Sequence, residues 1–151
     1  MNSQHEETLT TVFSEVIESL AFMFVEDPED DMVFTTGSEF VQVNMGFSGP
    51  FKGDLSIAVP VDMCPELASN VLGLDPDDEL VTRSPYDALK ELLNIICGNV
   101  LTTLAGEEPV FDLTIPEVTM LDEKGWAAFI KTDGTVRFVA DDFPVLLRLV
   151  T

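Results

Sequence analysis

Apolar residues recur along this chain in two rhythms, and the changes of rhythm mark its elements. Between 8 and 25, Leu9, Val12, Phe13, Val16, Ile17, Leu20 and Phe24 return every three or four positions. That spacing lines one side of an amphipathic helix. Thr8 or Thr10 can start it. The acidic run from Glu26 to Asp31, with Pro28 inside it, stops it as a loop. From 39 to 48 the period falls to two through Phe40, Val41, Val43, Met45 and Phe47, and Leu55, Ile57 and Val59 alternate likewise between 53 and 60. With Gly49, Pro50 and Gly53 between them, these read as two antiparallel strands. Pro60 ends the second. Leu67, Ala68, Val71 and Leu72 then predict a short helix over 62–73, with Gly73 as its C-terminal cap. The acidic loop Asp75–Glu79 lacks the glycine of a calcium-binding EF-hand loop, so it is a poor calcium site.

The longest helical pattern covers 84–105, with Ser84 as N-cap, Pro85 at the first helical position, Asp87 at the third and Gly106 as the stop. Strands are expected at 109–113, 117–122, 125–132, 135–140 and 145–150. Asp133-Gly134 gives the signal of a two-residue hairpin. The order of elements hints at two related halves, each a helix followed by strands. Phe22, Met23 and Phe24 could form a docking patch but read more readily as core. Trp126, in an apolar strand, reads as core or as a dimer contact.

Composition narrows the classes of function. The 151 residues, 46% of them apolar, suit one domain over 1–151 with a sizeable core. Against 28 Asp and Glu stand 7 Lys and Arg, a net charge of −21. A phosphate backbone and an anionic lipid surface both repel such a chain, which argues against nucleic-acid and membrane partners. A basic partner and a merely solvated acidic surface both remain open. The only histidine, His5, lies in a polar N-terminal tail, which argues against Ser/His/Asp and Cys/His catalysis. Cys64 and Cys97 lack a metal-ligand or C-x-x-C spacing and read as small helix residues in a reduced, cytoplasmic setting. The apolar run from Leu20 to Val25 falls far short of the roughly 20 residues of a membrane span.

The 84–105 helix carries the candidate chemistry. Leu89, Leu92, Leu93, Ile96, Val100 and Leu104 fill one sector of the helix, while Asp87, Glu91, Asn94 and Gly98 form a narrow stripe opposite, continued by Ala105. Ile95 and Leu101 flank the stripe, and Tyr86 either rims it or packs the helix start. A polar face is ordinary on a surface helix. Two of its members are not, because Asn is a poor helix former and Gly98 costs roughly 1 kcal/mol relative to Ala. Small and polar residues rimmed by Ile95 and Leu101 would admit another protein closely, although Gly98 could equally allow close packing inside the domain. A carboxamide can donate and accept while neutral, so Asn94 could hold a water in line with a phosphorus atom. Glu91 could accept a charge-assisted bond from a partner's lysine. Phosphoryl transfer needs mainly positioning and charge stabilisation.

The run Asp87-Ala-Leu-Lys-Glu91-Leu-Leu-Asn94-Ile-Ile-Cys-Gly98-Asn99 resembles the signature of the CheC/CheX/FliY chemotaxis phosphatases. Pro116 lies near that signature's proline, and the segment from Phe47 to Pro60 is similar to the family's strand–loop–strand. The resemblance covers most of 8–150. It implies an α+β fold, with an antiparallel sheet carrying two long helices on one face and pseudo-repeated helix-plus-strands units. It also implies hydrolysis of the aspartyl phosphate of a CheY-like response regulator, with Asn94 orienting the water and Glu91 pairing with the regulator's lysine. Asp87, Ile95, Gly98 and Leu101 would support docking. The chain needs no cofactor of its own in this picture, because Mg2+ belongs to the regulator. Glu15 and Glu18 on the first helix have no Asn three residues after Glu15. One active helix is therefore expected, as in the homodimeric CheX branch, with an edge strand from 109–140 available to pair between subunits. The related alternative is a non-catalytic receiver-binding or flagellar-switch module.

Overall fold

The computed structural model describes residues 2–28 and 39–151. Its helices are α1 (Ser3–Leu20), α2 (Cys64–Leu72), α3 (Glu79–Arg83), α4 (Asp87–Ala105) and α5 (Glu123–Lys131). Its strands are β1 (Val25–Glu26), β2 (Phe40–Ser48), β3 (Lys52–Pro60), β4 (Asp112–Leu113), β5 (Glu117–Leu121), β6 (Thr135–Ala140) and β7 (Phe143–Val150). All pair antiparallel in the order β1-β6-β7-β3-β2, with β4 and β5 sharing the outer edge of β2. This is the expected α+β architecture.

The two halves exchange strands. Each runs helix, strand, strand, strand: α1-β1-β2-β3 and α4-β5-β6-β7. The first strand of each half pairs with the second strand of the other, β1 on β6 and β5 on β2, while β3 and β7 meet at the centre. Alternation then decides the faces. Val41, Val43, Met45 and Phe47 of β2 and Leu55, Ile57 and Val59 of β3 join α1 and α4 in the main core. Phe40, Ala58, Val139 and Leu146 point the other way and are covered by Trp126 and Phe129 of α5. Trp126 stacks on Phe40 with centroids 4.2 Å apart.

Several boundaries differ from the sequence expectation. α1 starts at Ser3, because the Asn2 side chain accepts a hydrogen bond from Gln4 N at 2.7 Å. It ends at Leu20, not 25. Phe22 adopts φ 55°, and β1 follows. Only Met23 of the three adjacent residues is core, since Phe22 and Phe24 are 73% and 68% exposed. Of the acidic run after α1, residues 29–31 lie outside the described residues. Ser84 does not cap α4. Asp78 caps a separate α3 by accepting from Leu80 N at 2.9 Å, and α4 starts at Asp87 after Pro85 and Tyr86.

The 125–132 strand is a correction of type. Its residues belong to α5, whose start is capped by Asp122 accepting from Gly125 N at 2.8 Å. Trp126 is core as expected, but from a helix. Asp133-Gly134 consequently joins α5 to β6 and makes no hairpin. Gly134 has φ +91°, and a Cβ there would stand 2.5 Å from the Leu149 carbonyl oxygen. The β6–β7 hairpin turns instead at Asp141-Asp142. The expected 109–113 strand shrinks to β4. α2, with Gly73 left-handed at its C-cap, and the Gly106 stop are as read.

Candidate functional site

α4 presents its stripe because its other side is fully used. Ala88, Leu89, Leu92, Leu93, Ile96, Cys97, Val100 and Leu101 are buried against α1, α2 and the sheet. By length and composition it is the one described helix apolar enough to cross a membrane, but that apolar side is spent on the core. Asp87, Glu91, Asn94 and Gly98 are all exposed on the opposite side. Leu101 is a correction: at 4% exposure it belongs to the core and has no surface to offer a partner. Ile95 is half-buried and packs on the core, leaving part of its side chain at the margin of the stripe. Tyr86 also packs on the core.

The two candidate catalytic side chains are uncommitted. Neither Glu91 nor Asn94 makes a side-chain hydrogen bond or ion pair with any described residue. Three residues apart on one helix face, they reach toward the same volume. Lys90 brings a cation beside them, with its ammonium 3.8 Å from the Asp87 carboxylate. A Cβ on Gly98 would meet nothing within 4 Å, so that glycine serves no packing inside the domain.

The far wall of the site comes from the sheet edge. Asn44 faces Glu117 and Phe47 faces Leu113, so Met45 and Gly46 of β2 oppose Thr114, Ile115 and Pro116. The extra residue makes a β-bulge between β4 and β5. Gly46 N donates to Thr114 Oγ1 at 2.8 Å, and Thr114 N donates to the Gly46 carbonyl at 2.9 Å, which pins the bulge at its base. The bulge leans toward α4. Asp87, Lys90, Glu91 and Asn94 on one side and Leu113 to Pro116 on the other bound an open concavity of about 510 Å³. A second cleft of about 380 Å³, beyond the bulge along Gly46, Lys52, Asp54 and Asp112, contains none of the stripe residues. The sequence reading placed Pro116 near the site only through the resemblance and missed Lys90, Leu113, Thr114 and Ile115. A proline between two short, closely spaced strand patterns was the available sign of an interrupted edge.

Other chemistry finds little support in this arrangement. Burial pushes the Cys64 thiol up to about 12 and the Cys97 thiol up to about 11, so both stay protonated and poorly nucleophilic near neutrality. Among the described residues no group of three His, Cys, Asp or Glu side chains is placed to hold a metal ion. Glu15 and Glu18 are exposed on α1, with Ser19 turned back to the Glu15 carbonyl at 2.7 Å. No carboxamide lies within a turn of these two carboxylates on α1.

Residues 41–127 match the family described as chemotaxis phosphatase CheX. No curated protein matches the sequence significantly. Solved structures resemble the whole chain. A chain of the CheX–CheY–BeF3–Mg complex from Borrelia burgdorferi is 22% identical, with a TM-score of 0.64, over 97% of this chain and 96% of that one. CheX from Vibrio vulnificus is 17% identical at a TM-score of 0.68, over 97% of both chains. FliY from Thermotoga maritima is 12% identical at 0.59, over 100% of this chain and 91% of that one. At these identities the structural likeness establishes the fold.

Proposed function

Because the chain belongs to the CheX family of chemotaxis phosphatases, we propose that it accelerates hydrolysis of the aspartyl phosphate on a CheY-like response regulator. The observation that carries this reading is the pair Glu91 and Asn94, exposed and without internal partners on a helix whose other side is locked into the core. Side chains held in this way need little reorganisation when a partner arrives.

In this mechanism α4 lies against the mouth of the receiver's phosphorylation site. Glu91 accepts a charge-assisted hydrogen bond from the receiver's lysine, which fixes the register of the two proteins. Asn94 then reaches the phosphoryl group. Its carboxamide oxygen accepts a hydrogen bond from the attacking water and aligns that water opposite the departing aspartyl oxygen. Asp87 holds Lys90 at the rim. Magnesium and the phosphorylated carboxylate belong to the receiver. The same reading carries a homodimer and a cytoplasmic setting.

The test follows decay of a phosphorylated CheY-like receiver with magnesium, alone, with this protein, and with Asn94→Ala. Wild type is expected to speed decay. Asn94→Ala is expected to fall close to the receiver's own rate, by roughly 10²-fold or more for a lost positioning group, while binding persists. Equal decay in all three, across the receivers of the host organism, overturns the phosphatase reading.

A further inference from the structure

The bulge presents Ile115 in a way the fold alone does not require. It is 85% exposed, the most exposed large apolar side chain among the described residues. Exposing a large aliphatic side chain is unremarkable when it stands alone. Ile115 does not stand alone: it bounds the same concavity as Glu91 and Asn94, beside Leu113, itself 42% exposed. Nor is it loosely held. Thr114 before it is tied to Gly46 by two hydrogen bonds, and Pro116 after it has a fixed φ. A β-bulge that re-aims one side chain next to a reactive pair is a recurring use of that device.

Charge identifies what such a side chain contacts. The occupant proposed for this site carries carboxylates and a phosphoryl group, so it is anionic by its chemistry. The chain facing it has a net charge of −21, and the cation in the concavity, Lys90, already lies 3.8 Å from Asp87. Beyond the single pair of Glu91 with the receiver's lysine, attraction between unlike charges is therefore a poor source of affinity here. An apolar contact is indifferent to charge and supplies affinity by excluding water.

We propose that Ile115 is the apolar anchor that seats the receiver, packing on an apolar surface beside its phosphorylation site and setting affinity without taking part in the chemical step. This rests on the phosphatase reading for the identity of the occupant. The experiment therefore has two independent readouts. One is receiver dephosphorylation as a function of receiver concentration. The other is binding of a CheY-like receiver held in its active state by beryllofluoride and magnesium.

Ile115→Ser is expected to raise KM by about ten-fold or more and to weaken binding equally, in line with the loss of one buried aliphatic side chain. kcat should be unchanged. Ile115→Met should restore both within about two-fold, because Met fills a similar volume. Both variants should melt with wild type, since the side chain packs on little within the chain. If wild type binds without hydrolysing and Ile115→Ser weakens that binding, the phosphatase reading falls and the anchor stands. If wild type hydrolyses and Ile115→Ser matches it in both readouts, the anchor falls and the phosphatase reading stands. A fall in kcat at constant KM, or a lowered melting temperature, overturns the anchor too. Absence of both binding and hydrolysis in wild type overturns both.

Discussion

Gly98 is a residue whose cost has no return inside the molecule. It sits within α4, exposed, with open space where a Cβ would be. Gly98→Ala should therefore stabilise the fold by about 0.5–1 kcal/mol, raising the melting temperature by about 1–4 °C for a chain of this size. The same methyl enters the face that a receiver would approach, so KM should rise as stability rises. A thermal melt and a receiver titration on one preparation check both signs. A variant that melts no later than wild type overturns the open-face account. Asn94 and Gly98 were legible in the sequence because both are uneconomical on a helix. Leu101 was misread because a helical projection gives direction around the axis but not height along it. Leu101 points within about 20° of Asn94 but lies two turns, roughly 10 Å, further along, where the main core closes over it.

Among the elements, turns carried the least readable information. Asp-Gly is the stronger hairpin signal, yet the β6–β7 hairpin turns at Asp141-Asp142, with φ 46° and 70°. Asp141 has a reason to be there. Its carboxylate accepts from Phe24 N at 2.8 Å, and its own N–H donates to the Phe24 carbonyl at 3.0 Å, tying the segment after α1 to the sheet. Asp142 makes no comparable contact with the described residues. Asp142→Gly should relieve the left-handed backbone and stabilise by about 0.5 kcal/mol or more, seen as a higher urea midpoint at unchanged slope. Asp141→Gly gains the same relief but loses the Phe24 contact, so its midpoint should fall below that of Asp142→Gly. If the two coincide, the Phe24 tether contributes nothing. α5 was misread for a related reason: in the apolar run from Trp126 to Ile130, periods of two and three fit equally. The Asp122 cap, a signal one step upstream, decides between them.

For the whole molecule, strand exchange explains why the repeat was only faintly readable. β1 and β5 each complete the other half's sheet, and α5 has no counterpart among the described residues of the first half. The halves therefore share a plan while their sequences satisfy different neighbours. Charge acts at the same scale, and it was fully legible. A chain of net charge −21 approaching the proposed receiver, with its carboxylates and phosphoryl group, would feel repulsion over the Debye length, about 10 Å at 0.1 M salt and 30 Å at 0.01 M. Raising NaCl from 10 to 150 mM at fixed magnesium should lower KM by several-fold, because screening removes repulsion between exposed charges. kcat should hardly move, since the proposed water-positioning group is a neutral carboxamide held on a buried helix. Sucrose at matched osmolarity should leave KM in place, separating screening from solvent exclusion. A KM that climbs with salt would mean that opposite charges hold the complex. Lys90, and not the Ile115 bulge, would then be the side chain to remove first.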